Sequence, residues 1–540
     1  MTTSTPTPVL ALTLALACGP VVAEDPTAAG DTSAGSSAAA TDPTEAPTEA
    51  SAGEGTTAEA PTSPTSDDTA ATTDATTGED PLHCPPIADP SLEAAIREVL
   101  EVPEGPIPRA VAEAADILAS YGQLDAPIAS LAGIECLKNL REVHLNNGEY
   151  TDLGPLAALT ALEIVDLDTT TTLADLGPLA GLPALRTLLI PRTAVTDLTP
   201  LASLATLELV SARETPVSDL SPLAGLPALA QLLATDAQIS DVSVVAELPA
   251  LVTLMVHDNE ITSFAALAGH PALRNLYADG NPLVDLTGLG EIPTLQSLSL
   301  NGCGVADLGP LAAATALKSL DLNDNAITDL GPLAGMTSVL TLSLEGNAIT
   351  DLGPLAGMTA LEHLFIADNA VDDLTPLAGL PLVRLRAAGN AIADPLPLAD
   401  LAALGSLDLG GNPLGPQLAL ADTLPLYELF LAEAGLTALP VQNPEGLAAL
   451  DLRGNAITDL APLAGYAALA EVDLTANQIA DVGPLLSAPW RTDRECTLVH
   501  LGANPLSVAS LEDALPALCA GDGAFTWDGG SCNECEQVPI

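Results

Sequence analysis

Residues 317–355 read LKSLDLNDNAITDLGPLAGMTSVLTLSLEGNAITDLGPL. This stretch contains the frame L-x-x-L-x-L-x-x-N-x-I-x-D-L-x-P-L twice, and the second copy begins 22 residues after the first. The first copy consists of Leu317, Leu320, Leu322, Asn325, Ile327, Asp329, Leu330, Pro332 and Leu333. A period of this length predicts a solenoid, in which each repeat forms one coil that packs only on its neighbours.

The frame recurs over residues 140–506, and a degenerate copy precedes it at Leu118. The first position of the frame is occupied by Leu140, Leu162, Leu185, Leu207, Leu229, Leu251, Leu273, Leu295, Leu317, Val339, Leu361, Leu382, Leu404, Leu426, Leu447, Leu469 and Cys496. The pattern resembles the leucine-rich repeat, which implies an α/β solenoid: a horseshoe of about 17 coils with a parallel sheet on its concave side. With strands roughly 4.8 Å apart, this sheet would extend on the order of 80 Å.

The bulk composition limits the classes of partner. The chain of 540 residues has 71 acidic against 14 basic residues, a formal net charge of -57, and only 2% aromatic residues. Nucleic acid requires a basic surface and is therefore excluded as a partner, and an anionic membrane surface is disfavoured. A basic protein partner fits this charge through electrostatic steering. Alternatively, the acidity only keeps a long, alanine-rich chain soluble.

Residues 1–23 are predicted to be a targeting segment. The apolar run VLALTLALA at residues 9–17 is too short to span a bilayer and is typical of a secretory signal. The following ALACG at residues 15–19 resembles the lipobox of bacterial lipoproteins, in which the residue matching Cys18 is lipidated and becomes the new N-terminus. The resemblance implies an exported protein of the cell envelope, an outer-membrane or cell-surface lipoprotein that contacts the membrane only through its lipid. Ordinary cleavage after Ala23 is the alternative.

Residues 24–81 are predicted to be a disordered tether. Residues 24–80 contain no Lys, Arg or aromatic residue and consist of Ala, Thr, Ser, Pro, Gly and acids. Such a segment cannot bury enough apolar surface to offset the entropy lost on ordering.

Residues 82–139 are predicted to be an N-terminal cap with the degenerate first repeat. Residues 92–100 should form an amphipathic helix with Ser91 as its N-cap and with Leu92, Ile96, Val99 and Leu100 on one face. A second helix is expected over residues 109–120. Such caps cover the apolar face that a terminal coil would otherwise expose.

The cap helix, the PEG turn at residues 103–105, the half-repeat IASLAGI at residues 128–134 and the repeats together resemble bacterial internalin-type leucine-rich repeat proteins. This resemblance covers residues 86–506. It implies a surface protein that binds other proteins on its concave face, and we expect a monomer. An adhesin or a carbohydrate-binding surface protein is the alternative.

Two polar columns are predicted to be structural. Asparagines of the frame occur at Asn259, Asn281, Asn325, Asn347, Asn369, Asn390, Asn412, Asn455, Asn477 and Asn504. Each should satisfy backbone groups of its own and the neighbouring coil, and Cys303, in the same column, should be a buried thiol. Aspartates occur at Asp152, Asp175, Asp197, Asp219, Asp241, Asp285, Asp307, Asp329, Asp351, Asp373, Asp394, Asp459 and Asp481. We interpret them as N-caps of the D-L-x-P-L turn, with proline at the third helical position, rather than as a calcium ladder.

Residues 507–540 are predicted to be a C-terminal cap that begins with a helix over 507–518. Six further cysteines lie in or beside the two caps: Cys84, Cys136, Cys496, Cys519, Cys532 and Cys535. Export predicts that they form disulfides. A bond between Cys84 and Cys136 would staple the N-terminal cap, whereas the last four allow three pairings. A zinc site formed by the last four, with His500, is the alternative.

No catalytic signature occurs in the sequence. There is no G-x-S-x-G, H-E-x-x-H or phosphate-binding loop, and no cofactor is predicted. We therefore predict a binding module and not an enzyme.

The residues that flank the inward leucines should form columns on the concave face. The centre column reads His144, Asp166, Leu189, Ser211, Leu233, Met255, Tyr277, Ser299, Asp321, Ser343, Phe365, Arg386, Asp408 and Phe430. A first patch is predicted where Leu233, Met255 and Tyr277 would form one exposed apolar stripe with His257 and Asp279 beside it.

A second, weaker patch is predicted further along the concave face. It consists of His363, Phe365, Arg386, Tyr427 and Phe430. The alternative for both patches is chance drift at positions that face solvent.

Overall fold

A computed structural model describes residues 83–119, 126–418, 420, 424–440, 446–488, 497–520, 523–528 and 530–532. All of these residues belong to one compact unit, Thr77–Ile540. The predicted signal segment with Cys18, the tether, Cys496 and Cys535 lie outside the described residues.

The fold is a solenoid with one long sheet. Its strands are β1 (Ile117–Ala119), β2 (Glu142–His144), β3 (Ile164–Asp166), β4 (Thr187–Leu189), β5 (Leu209–Ser211), β6 (Gln231–Leu233), β7 (Thr253–Met255), β8 (Asn275–Tyr277), β9 (Ser297–Ser299), β10 (Ser319–Asp321), β11 (Thr341–Ser343), β12 (His363–Phe365), β13 (Arg384–Arg386), β14 (Ser406–Asp408), β15 (Glu428–Phe430), β16 (Ala449–Asp451), β17 (Glu471–Asp473), β18 (Thr497–His500), β19 (Gly523–Trp527) and β20 (Gly530–Cys532). Successive strands pair in parallel from β1 to β19, and β20 pairs antiparallel to β19. The predicted solenoid is confirmed, with one strand, β2 to β18, for each of the 17 repeats.

Alternation of side chains explains why each strand buries one residue and presents two. In β10, Leu320 is fully buried, whereas Ser319 and Asp321 point to the opposite face. Burying a leucine contributes about 1.5–3 kcal/mol, and the frame repeats this burial in every coil.

On the opposite side of the coils, the chain forms short 3₁₀ helices. Their bounds are Ile134–Cys136, Gly154–Leu156, Gly177–Gly181, Thr199–Leu201, Ser221–Leu223, Ser243–Glu247, Ala265–Leu267, Leu289–Glu291, Gly309–Leu311, Gly331–Gly335, Gly353–Gly357, Thr375–Leu377, Leu396–Leu398, Ala461–Gly465 and Gly483–Ser487. Most are three residues long, which fits a frame in which only nine residues separate Asp329 from Val339, the first position of the next repeat.

The N-terminal cap differs from its prediction at both helices. Helix α1 (Pro90–Leu100) has Asp89 rather than Ser91 as its N-cap. Val99 is 39% exposed and does not share the buried face. The expected second helix is reduced to the single turn α2 (Arg109–Ala112), because the chain then enters β1 and pairs with β2.

Strand β1 shows that the degenerate repeat was placed in the wrong register. Leu118 lies opposite Val143, which occupies the second apolar position of its frame and not the first. The cap is closed by a disulfide between Cys84 and Cys136, the pairing that the sequence suggested.

The C-terminal cap adds two strands that the sequence analysis did not predict. A π-helical turn (Ser510–Ala514) leads into helix α3 (Leu515–Cys519), and strands β19 and β20 then form a hairpin on the end of the sheet. Cys519 is bonded to Cys532, which leaves neither thiol for the alternative zinc site. Among the described residues, none of the helices is long and apolar enough to cross a membrane.

Candidate functional site: the concave face

Each coil leaves the concave sheet through one residue with left-handed backbone. These residues are Asn147, Thr169, Arg192, Glu214, Asp236, Asp258, Gly280, Gly302, Asp324, Gly346, Asp368, Gly389, Gly411, Glu433, Gly454, Ala476 and Ala503. The sequence analysis missed this column because only some of its members are glycine. The turn directs the next side chain, in most coils the frame asparagine, into the core.

The frame asparagines hold adjacent coils together, as predicted. Asn347 donates from Nδ2 to the carbonyls of Leu322, Leu344 and Glu345 at 2.9, 3.0 and 3.2 Å, and its Oδ1 accepts the N–H of Ile327 at 3.0 Å. The other nine asparagines repeat this arrangement. These bonds satisfy backbone groups that no strand pairs.

Cys303 takes the place of an asparagine and is a buried free thiol, as predicted. Its Sγ lies 3.3 Å from the carbonyl oxygen of Ala278, and burial raises its pKa to about 11. The N-terminal coils use other residues in this column: the hydroxyls of Thr193 and Thr215 each donate to a carbonyl of their own coil, a substitution that the sequence analysis did not consider.

The aspartate column caps turns, but one position earlier than predicted. In each of its thirteen aspartates Oδ1 accepts the N–H of the residue two positions later. In twelve of them that residue is the first of a 3₁₀ helix, whereas after Asp285 the helix begins only at Leu289. In the first such turn Leu153, not Asp152, is the N-cap residue, and Pro155 is at the second helical position, not the third. The pKa values of Asp197 and Asp219 are held below the ordinary range by hydrogen bonds from the residues that follow them.

The first predicted patch is in register, but one of its members is not exposed. Leu233 lies opposite Met255, and Met255 lies opposite Tyr277. Leu233 is only 3% exposed, so the prediction of a three-residue exposed stripe is wrong. Met255 and Tyr277 are half-buried and present the apolar surface.

Two polar side chains of the first patch form an ordered pair. His257 Nδ1 lies 3.1 Å from Asp279 Oδ2, and the His257 ring centroid is 6.1 Å from that of Tyr277. Burial acts to raise the pKa of Asp279, but hydrogen bonds from His257, Ser299 and the Asn301 N–H outweigh it and hold the pKa below its ordinary value. Asp279 is therefore an ionised, fully engaged group at neutral pH.

The second predicted patch is divided by a charged residue. Asp408 lies between Arg386 and Phe430 in register, and Arg386 Nε is 3.8 Å from both Asp408 and Glu345. Tyr427 precedes β15, and a β-carbon at Gly405 would collide with its ring. His363 and Phe365 occupy β12, so the structure distributes this patch over three strands, β12, β13 and β15, and does not bring its aromatic rings together.

The centre of the concave face, between the two patches, carries short polar side chains. Strands β9, β10 and β11 present serines and threonine in both outward columns, with Asp321 as the only charged member. We call these three strands the central trough. Ser299 and Ser343 are 4% and 7% exposed, which places them low in the sheet surface. No group of three or more His, Cys, Asp or Glu residues suited to a metal ion occurs in the described part of the chain.

Comparison with known proteins agrees with this architecture. A family model for leucine-rich repeats (two copies) matches residues 293–335 and 337–379. No protein of curated function matches the chain.

Similar solved structures include two from Listeria monocytogenes. The internalin InlF is 26% identical over 74% of this chain and 93% of that chain, with a TM-score of 0.40. The functional domain of InlJ is 18% identical over 77% of this chain and 80% of that chain, with a TM-score of 0.48. The PEPR1–AtPEP1 structure is 17% identical over 73% of this chain and 63% of that chain, with a TM-score of 0.50. We conclude that the chain folds as a leucine-rich repeat solenoid. This conclusion rests on the parallel sheet, on the match to the repeat family model and on the similarity to the PEPR1–AtPEP1 structure.

Proposed function

We propose that this protein is an exported, surface-anchored scaffold that binds another protein on its concave face. The observation that carries the proposal is the apolar surface of Met255 and Tyr277, which lie side by side and half-buried in a sheet where most neighbouring outward residues are short or polar. Apolar and aromatic residues that remain accessible in a concave, otherwise polar surface favour a protein interface.

Charge around this patch favours a basic partner. Asp236 and Asp258 are exposed on the left-handed column beside it, and Asp279 is adjacent. The whole chain carries a formal net charge of -57. Complementary charge raises the rate of encounter more than the final affinity, so binding should weaken as salt concentration rises.

The proposal is tested by isolating partners from the producing cell's envelope with the full chain and measuring their affinity. Tyr277→Ala and Met255→Ala should each weaken binding at least fivefold, about 1 kcal/mol. Val284→Ala is the matched control, because Val284 is 85% exposed and lies outside the strands. Unchanged affinity in both concave variants, with binding abolished by a substitution on the 3₁₀ side, would show that the concave face is not the interface.

Export and anchoring are supported by two observations. The chain contains the lipobox-like ALACG around Cys18, and disulfides close both caps, which fits an oxidising compartment. Mass spectrometry of the mature N-terminus tests this part: an acylated Cys18 is expected, and a free N-terminus at Glu24 would contradict it.

A carbohydrate-binding surface is a less favoured function. Sugar-binding faces usually present neighbouring aromatic platforms. In the described strands of the repeats, the aromatic residues Tyr277, Phe365 and Phe430 are separated by at least three strand spacings. We therefore place the protein partner first.

A further inference from the structure

We infer that the central trough binds a cationic side chain of the partner, an ammonium or guanidinium group, through the carboxylate of Asp321. This inference rests on the proposed function, because it assumes that a protein docks on the concave face. It adds the chemical group that the middle of that face recognises.

Asp321 differs from the other aspartates of the centre column in having no partner. The others are Asp166 and Asp408, together with Asp451 and Asp473, which continue the column in register after Phe430. Each accepts the backbone N–H two residues later, at 2.8–3.3 Å, and each lies within 4 Å of a histidine or arginine side chain. Among the described residues, the carboxylate of Asp321 has neither a hydrogen bond nor an ion pair.

The cause is a change in the hydrogen bonding of the next column. The N–H that would reach Asp321 belongs to Asn323, and it donates instead to Asn301 Oδ1 at 2.7 Å. This bond is one step of a ladder that runs from Asp279 through Asn301 and Asn323 to the N–H of Glu345. Asp321 therefore lacks the backbone N–H donor that the other aspartates of the column have.

The neighbouring serine hydroxyls also donate to other acceptors and not to Asp321. Ser299 and Ser343 lie on either side of Asp321 in register. Ser299 donates to Asp279 Oδ1 at 2.5 Å, and Ser343 donates to Asn323 Oδ1 at 2.7 Å. Asp321 thus retains its full capacity to accept hydrogen bonds in the lowest part of the face.

The surroundings select a cation rather than a neutral donor. Asp279 raises the pKa of Asp321 further, in addition to the larger effect of burial, and Glu345 follows two residues after β11, the adjacent strand. Within strands β9, β10 and β11, Asp321 is the only charged residue, and the charge that acts on it is the acidic one of Asp279. Burial deprives an ionised carboxylate of favourable interactions with water, which is costly when no protein group replaces them. A cation placed beside the carboxylate supplies such an interaction and favours the ionised form.

The dimensions of the trough admit a protein segment. Tyr277 and Phe365 border it on either side, four strand spacings apart, which is roughly 19 Å. A helix with its side chains is about 10–12 Å across. A lysine or arginine on such a segment can reach Asp321, while apolar neighbours contact the two rings.

The first test uses small probes on the full chain: 2-phenylethylammonium and its neutral match, 2-phenylethanol. We expect the cation to bind about tenfold more tightly than the alcohol at pH 7.5. By linkage, saturating cation should lower the pKa of Asp321 by about one unit, measured by NMR of ¹³C-labelled aspartate. Equal binding of the two probes, or no displacement of the Asp321 carboxyl resonance, would overturn the inference.

Variants separate the role of Asp321 from a general effect of acidity. Asp321→Asn should abolish the preference for the cation, whereas Asp473→Asn, which removes a paired aspartate of the same column, should retain it. Asn301→Ala frees the Asn323 N–H for Asp321 and should reduce the preference without removing the carboxylate. An unchanged preference in Asp321→Asn would refute the site.

With a partner in hand, the two proposals fail in different ways. If Tyr277→Ala weakens partner binding and Asp321→Asn does not, the concave face binds the partner but the cation site is wrong. If neither substitution affects binding, the proposed function itself is wrong.

Discussion

Replacing Asp321 with asparagine should stabilise the folded protein at neutral pH. Burial raises the pKa of Asp321 to about 6, and the charge of Asp279 adds to this effect. In the unfolded chain an aspartate has a pKa of about 3.9. Each unit of difference corresponds to about 1.4 kcal/mol, so the ionised group costs the folded state up to about 3 kcal/mol. Because Asp321 is partly accessible to water, we expect a gain of about 1–3 kcal/mol.

The direction of the pH dependence follows from where protons are bound. Between pH 4 and pH 6 the folded state holds a proton on Asp321 that the unfolded state has lost, so the free energy of unfolding falls as pH rises through this range. Below pH 4 both states are protonated, and above about pH 6 both are ionised. Asp321→Asn removes this slope, so its advantage should be absent near pH 4 and complete by pH 7.5.

Urea unfolding of both proteins at pH 4 and pH 7.5 measures this difference. Asp473→Asn is the control: Asp473 accepts the N–H of Thr475 at 2.8 Å and lies 3.6 Å from Arg453, so its loss should not stabilise the protein at either pH. An Asp321→Asn variant that is no more stable than the parent at pH 7.5, or whose advantage is as large at pH 4, would contradict this assignment.

Three further substitutions test the caps and the turns, each by urea unfolding. Asp89→Ala removes the acceptor of four N–H groups that join α1 to the first half-repeat and should cost about 2–4 kcal/mol; a loss below 1 kcal/mol would contradict this role. Replacing Cys84 and Cys136 together by alanine opens a loop with a sequence separation of 52 and should cost about 4 kcal/mol, and an unchanged midpoint would show that the bond does not constrain the unfolded chain. Ala476→Gly relieves a left-handed alanine at φ 57° and should stabilise by about 0.5–1 kcal/mol, whereas the control Ala464→Gly, on a 3₁₀ helix, should destabilise by a similar amount.

The period of the sequence was sufficient to predict the solenoid, its strands and the roles of two polar columns. Leu320 and Asn347 illustrate why: their neighbours in space lie one period away in the chain, so a repeat places each residue type beside its own kind in the next coil. Strand register along the concave face follows from the same fact, and the alignment of Met255 with Tyr277 could be read without coordinates.

The prediction was wrong or incomplete where the repeat ends. Asp89 caps α1 and also accepts the N–H groups of Ala129 and Ser130, 40 and 41 residues away, a contact that no local pattern encodes. The hairpin of β19 and β20 forms because the last coil leaves an open sheet edge with which a strand can pair. The residue pattern of the C-terminal segment does not by itself reveal that this edge is present.

Exposure and partnership within the concave face were decided only by the tertiary structure. The sequence places Leu233 and Asp321 in one column of outward-facing residues, but it does not say that Leu233 is covered or that Asp321 lacks a donor. Each of these properties depends on residues of the adjacent coils: Ser211 and Met255, which lie opposite Leu233 in register, and Asn301, whose Oδ1 accepts the N–H of Asn323 that would otherwise reach Asp321. A periodic sequence determines which residues are neighbours, whereas competition among those neighbours for the same hydrogen bonds and the same space is resolved only when all of them are in place.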